Sequence, residues 1–223
     1  MPPVTKSRII VLHLTKHSES GVVLHTLDAD AGRRSFLVRG LKANRSALAA
    51  FHSLSLLDVV SAESPKSSLA WLREWTPVQP LHGIRGDLVK GSVAMFVSEV
   101  LYRSFTTELS DPQLFDWLCD SVAALDAETG GIANYPIWFL VNYAVRLGFM
   151  PGETIEPAGL FPPDEAALFY RILRSPYETV RTIPLTAARR QSFARRMLQY
   201  LSWHLGITID ARSLEVLHEV LAS

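Results

Sequence analysis

The sequence predicts an α+β protein in which the strands come first and the helices follow. Five short apolar runs of strand length, divided by turn residues, fill residues 1–80. Beyond Pro77 and Pro80 the apolar spacing changes to the i, i+3, i+4 period of helices. A chain of 223 residues that is 48% hydrophobic and 20% charged has the balance of folded domains, not of disordered or collagen-like segments. Its length suits one large domain or two small ones.

The five strands fall at residues 8–14 (RIIVLHL), 22–27 (VVLHTL), 33–39 (RRSFLVR), 54–60 (LSLLDVV) and 68–75 (SLAWLREW). Ser20-Gly21, residues 28–32, Gly40 and Ser64-Pro65 supply the turns between them. Residues 44–51 (NRSALAAF) have helical propensity over two turns. Five strands with a small helix between the third and the fourth are the element order of an OB-fold barrel.

In the helical part, Val93, Phe96, Val97, Val100 and Leu101 share one face of a helix over residues 90–105. Asp111 caps the next, with Pro112 at its first position, and it runs to Leu125 before Gly130-Gly131. Pro136 opens a third through Val145, with Gly148 as its C′ residue and Pro151 beyond. After a Pro/Gly-rich stretch, residues 151–163, a helix covers 164–174. Thr186 caps a long helix ending at Leu205 and Gly206, and Asp210 opens a last one through Leu221. The expected division is a barrel over residues 1–80 and an α-helical domain over residues 81–223.

Catalytic signatures do not emerge: there is no Gly-x-Ser-x-Gly elbow, phosphate loop, Gly-x-Gly-x-x-Gly or His-Glu-x-x-His. Residues 28–32 (DADAG) open like a calcium loop, but Gly32 falls at a ligand position and Arg39 where a bidentate Glu is needed, so they are read as a turn. The single cysteine, Cys119, can form neither an internal disulfide nor a Cys-x-x-Cys metal site. His13 and His25 fall on neighbouring strands without a completing ligand set. The expectation is a non-enzyme with no metal or cofactor. No apolar run reaches the ~20 residues of a membrane span, and the N-terminus lacks a signal-peptide core, so a soluble cytoplasmic protein is expected.

The 22 basic and 22 acidic residues cancel, which by itself argues against a polyanionic partner. Their distribution argues otherwise. Residues 1–50 hold eight basic residues against three acidic, for +5, and residues 81–150 hold four against eight, for −4. Arg33, Arg34, Arg39, Lys42 and Arg45 follow one another along the third strand and the segment after it, the part of an OB-fold used for oligonucleotides. Together with Lys16 they form the candidate DNA-binding set. Arg33 and Arg34 are adjacent, so on a strand they point to opposite faces. A second basic cluster, Arg189, Arg190, Arg195 and Arg196, reads either as a solvated helix face or as an acidic-peptide or phosphate site, with Arg190 aligned to the apolar row of Phe193, Met197 and Leu201.

These residues resemble those of the RecO family of bacterial DNA repair proteins. The likeness runs through Ile10 to Leu14, Ser18-Glu19-Ser20, Leu27-Asp28, Ala31-Gly32-Arg33, Val38-Arg39-Gly40 and Lys42 to Ser46. It continues at Leu101, Leu114-Phe115, Phe139, Leu147-Gly148-Phe149, Tyr200, Leu205-Gly206 and Ala211-Arg212-Ser213, over nearly the whole chain. It implies a recombination mediator, nucleoid-associated in the cytoplasm, that binds single- and double-stranded DNA and anneals complementary strands. Its implied partners are RecR and the acidic C-terminal tail of single-strand DNA-binding protein, and it would help load the RecA recombinase. Two departures stand out. Residues 151–163 contain none of the four cysteines that hold zinc in many members, which implies a zinc-less branch. Where members often carry arginines before the Leu-Gly-Phe landmark, this chain has Ile137 and Trp138, leaving Arg146, Arg171, Arg174, Arg195 and Arg196 as candidates for the tail. The alternative reading is an OB-fold protein-interaction module without useful DNA affinity, in which Trp71 and Trp75 are core or docking residues.

Overall fold

The computed structural model describes residues 4–18, 21–39, 49–63, 69–105, 110–149 and 160–222. Strands β1 (Val4–Lys16), β2 (Gly21–Asp28), β3 (Gly32–Arg39), β4 (Leu56–Ala62) and β5 (Ala70–Pro77) close into a barrel in the order β1-β2-β3-β5-β4. The ladders are antiparallel except that of β3 with β5, where Phe36 faces Ala70 and Leu37 faces Trp71 in parallel. Long β1 pairs with β4 from Val4↔Ala62 to Ile10↔Leu56 and with β2 up to Lys16↔Val22, with a register shift between Val11 and His13. This is the expected OB-fold barrel followed by a helical region.

Alternation along the strands builds the barrel core. Ile9, Val11, Leu24, Phe36, Val38, Leu57, Val59, Ala70 and Leu72 point inward and pack with Phe51, while Trp75 lies against them with its ring 5.0 Å from that of Phe51. The fourth strand starts two residues later than its apolar run predicts. Leu54 takes a left-handed conformation (φ 64°), and its N–H donates to the Val11 carbonyl at 2.8 Å, so the chain is still turning there. Of the helix expected at residues 44–51, only the helical Ala49 and Ala50 and the following Phe51 lie within the described residues.

Eight helices follow among the described residues: α1 (His82–Gly86), α2 (Leu88–Ser104), α3 (Pro112–Ala127), α4 (Tyr135–Arg146), α5 (Pro163–Leu173), α6 (Tyr177–Val180), α7 (Ala187–Leu205) and α8 (Ser213–Ala222). Local caps explain five of these ends. Asp87 accepts the N–H groups of Val89 and Lys90 at 2.8 and 3.0 Å, and Asp111 those of Gln113 and Leu114 at 2.9 and 3.1 Å. Thr186 Oγ1 accepts from Arg189 N, and Gly148 and Gly206 turn left-handed at φ 85° and 65° to stop α4 and α7.

The last helix corrects the expectation that Asp210 opens it. It begins at Ser213, whose N–H and hydroxyl donate to the Glu99 carboxylate of α2 at 2.9 and 2.6 Å, a cap supplied from far along the chain. Short α1 and α6 carry too few residues to show a period. Buried Asn134 ties the segment after α6 by donating from Nδ2 to the carbonyls of Val180 and Ile183, both at 2.9 Å.

The chain forms two compact units. One holds Met1–His82 with Phe105–Ala123, and the other holds Gly83–Ser104 with Ala124–Ser223. Among the described residues no helix is long and apolar enough to cross a membrane.

Candidate nucleic-acid interface

The β2–β3 hairpin turns through three residues. Asp28 Oδ1 accepts the N–H groups of Asp30 and Ala31 at 3.0 and 3.2 Å, and Gly32 closes the loop at φ 66°. The carboxylate that opens the calcium-like motif is thus spent on its own backbone. Among the described residues no group of three His, Cys, Asp or Glu is placed to hold a metal ion.

From this turn the two faces of β3 separate. Phe36 and Val38 point into the barrel, so Arg34 shares the inner side. Its guanidinium lies 5.1 Å from the Phe36 ring centre, forms an ion pair with Glu63 and approaches Asp28 Oδ2 at 3.7 Å. Arg33, Ser35, Leu37 and Arg39 point outward, opposite Leu27, His25, Val23 and Gly21 of β2. None of these eight outward positions carries a carboxylate. On β4, Asp58 holds Arg8 at 2.8 Å, and each pulls the other's titration toward the charged form.

The outer face has a polar centre. His25 Nδ1 lies 2.9 Å from Ser35 Oγ and its Nε2 lies 3.1 Å from Thr15 Oγ1, while its ring stacks with His13 at 6.1 Å. Burial, then the Arg33 charge and His13, hold the His25 pKa below its ordinary value. At one end, Lys16 and Arg39 are both exposed beside the start of β2. Register places Trp71 of β5 next to Leu37, and the Arg39 guanidinium sits 5.0 Å from the Trp71 ring centre. Trp71 is 40% exposed and so is no barrel-core residue. Of the DNA-binding set, the structure therefore gathers Arg33 and Arg39 on one face and turns Arg34 to the inner side; Lys16, exposed at the strand end, pairs with Val22 and so alternates with that inner side rather than with the outer face. Lys42 and Arg45 lie outside the described residues. Thr15 and Ser35 belong to this face and were not singled out by sequence; His25 and Trp71, noted there only as a paired histidine and a core or docking residue, join them, because the shared side depends on strand register.

In the helical unit the candidate arginines differ in how they are occupied. Arg195 pairs with Glu215 at 2.5 Å, and Arg196 with Glu165 at 2.6 Å and with the Leu160 carbonyl at 2.8 Å. Arg174 lies over Tyr170 at 5.6 Å, Arg171 is in the last turn of α5, and Arg146 ends α4. Arg195 and Arg196 line one shallow groove on α7. Arg190, left out of the candidate set, is placed differently. It borders a narrow apolar groove formed by Ile137, Ala194, Leu214, Leu217 and Leu221 among others. Its guanidinium donates to the carbonyls of Leu185 and Leu221 at 2.6 and 3.3 Å. Among the described residues no carboxylate reaches it, and burial lowers its pKa.

A five-stranded OB-fold barrel with a carboxylate-free basic strand face, followed by a helical region, places the chain among OB-fold proteins. Residues 1–81 match the family model "Recombination protein O N terminal" and residues 85–154 match "Recombination protein O C terminal". The chain belongs to the RecO family, whose members act in DNA repair and recombination. It is 27% identical over 236 residues to the DNA repair protein RecO of Flavobacterium psychrophilum, covering 97% of this chain and 99% of that protein. Identity to DNA repair protein RecO of Phocaeicola vulgatus is 26% over 234 residues, with 96% and 97% covered. For the Porphyromonas gingivalis protein of the same name it is 27% over 226 residues, with 89% and 91% covered.

The depressed His25 pKa ties the barrel's stability to pH. The unfolded chain, with an ordinary histidine, binds a proton more readily than the folded one. Stability from this group is therefore complete above the ordinary value of 6.5 and is lost as pH falls through the folded value. Thermal unfolding of the full chain is expected to show a lower midpoint at about pH 5.5 than at about pH 7.5, with a smaller drop in His25→Gln. Equal drops in both proteins would contradict this assignment.

Proposed function

We propose that the outer face of β2 and β3 binds the sugar–phosphate backbone of single- and double-stranded DNA. The observation that carries this is the absence of carboxylates from the eight outward positions that hold Arg33 and Arg39. The two arginines are six residues apart on β3, about 20 Å along an extended strand, enough to grip phosphates several nucleotides apart. Exposed Lys16, at the same end of the barrel as Arg39, reaches a phosphate only around that strand end, and Lys42 and Arg45 follow β3 in sequence. Contacts of this kind are sequence-independent and salt-sensitive. Arg34, answered by Glu63 and Asp28, has a structural role in the barrel wall.

In this reading residues 1–80 hold DNA and residues 81–223 dock partners. The chain anneals complementary strands and works with RecR to load recombinase on DNA coated by single-strand DNA-binding protein, as the family resemblance implies. The acidic tail of that coating protein would enter the apolar groove on α4, α7 and α8. There Arg190 offers a desolvated charge that no carboxylate of the described residues meets, whereas Glu215 and Glu165 occupy Arg195 and Arg196.

Two measurements check this reading. Replacing Arg39, Lys42 and Arg45 together by Ala should weaken oligonucleotide binding and shallow the log–log salt slope by about 2, at roughly 0.7 per lost phosphate contact on a single strand. An unchanged affinity and slope would place the DNA elsewhere. For the second site, an acidic peptide ending in Phe should bind the full chain, with roughly tenfold weaker binding to Arg190→Ala and little change for Arg195→Ala. The reverse order of sensitivity would move the tail to the α7 groove.

A further inference from the structure

Trp71 is a costly residue to leave on a barrel exterior. Its outward neighbours Val23 and Leu37 are buried to 8% and 7% exposure, yet the indole remains 40% exposed. The group over it, the Arg39 guanidinium, meets no carboxylate among the described residues. Cation–π contact at an exposed site is weak, weaker than a charge-assisted bond from the same guanidinium to a phosphate.

An unpaired nucleotide carries both groups this pair lacks: a phosphate for Arg39 and a planar ring for Trp71. We infer that Trp71 is a base-stacking platform that gives this chain a preference for single-stranded over duplex DNA. When a strand arrives, Arg39 turns from the indole to a phosphate, and an unpaired base takes its place on the ring. Bases in a duplex are already stacked on one another, so a duplex can use only the phosphate half of the site. The surroundings fit such an occupant. Arg33 lies on the same face, and the Thr15–His25–Ser35 row beside Leu37 adds hydroxyl and imidazole groups without negative charge.

The inference rests on the DNA-binding reading of this face, and the test separates the two. The full chain and its Trp71→Ala, Trp71→Leu and Trp71→Phe variants are titrated by fluorescence anisotropy with a labelled oligothymidine and with a labelled blunt hairpin duplex. Trp71→Leu keeps apolar bulk above Leu37, so it reads the loss of the aromatic face even if Trp71→Ala fails to fold. Trp71→Ala and Trp71→Leu should bind oligothymidine about tenfold more weakly, with duplex affinity within about twofold of wild type and Trp71→Phe retaining most of the single-strand affinity. Equal losses on both ligands, or no loss in Trp71→Leu, would overturn the platform while leaving the DNA-binding reading standing. A wild-type chain that binds neither ligand would overturn both.

Discussion

Phe36 and Leu37 of β3 pair in parallel with Ala70 and Trp71 of β5, and this short ladder closes the barrel. The rest of the N-terminal unit depends on it. Closure commits Phe36 and Val38 to the interior, and period-2 alternation then sends Arg33, Ser35, Leu37 and Arg39 outward and Arg34 inward. A slip of one residue would bury Arg39 and expose the phenylalanine. The same ladder brings Trp71, from a segment more than thirty positions away, beside the arginine that ends β3. Barrel closure and the proposed binding face are therefore one constraint seen from two sides.

Ion pairing sorts the arginines further. Arg8, Arg34, Arg181, Arg189, Arg195 and Arg196 each meet a carboxylate within their own unit. Exposed pairs of this kind add little stability. Their effect on function is larger, because an arginine already answered by Glu or Asp has less charge to offer a phosphate or an acidic peptide. Arg39 and Arg190 meet no carboxylate among the described residues, and each lies at a candidate binding site, one over an aromatic ring on the barrel and one beside an apolar groove in the helical unit. The net charge of zero conceals this, since it counts satisfied and unsatisfied cations alike.

What the sequence made legible was local. Apolar runs, the turn at Asp28 to Gly32, the caps Asp111 and Thr186 and the stops Gly148 and Gly206 all act within a few residues of where they sit, and they placed the barrel and the major helices. The misplaced boundaries have distant causes. Leu54 is held by the Val11 carbonyl, and α8 starts where Glu99 of α2 supplies its cap. On the binding face, adjacency alone predicted that Arg33 and Arg34 would part. Which of them faced outward, and that Trp71, His25, Thr15 and Ser35 shared that side, followed only from the non-local register of β1, β2, β3 and β5.

The central claim is that DNA lies along the outer face of β2 and β3, next to β5. Amide chemical-shift mapping of the full chain during titration with oligothymidine tests it most directly. The account predicts perturbations concentrated at residues 13–16, 21–27, 33–39 and 70–73, with those at Arg33, Arg39 and Trp71 among the largest. Shifts confined to residues 160–222, or a barrel face silent at saturating DNA, would contradict it.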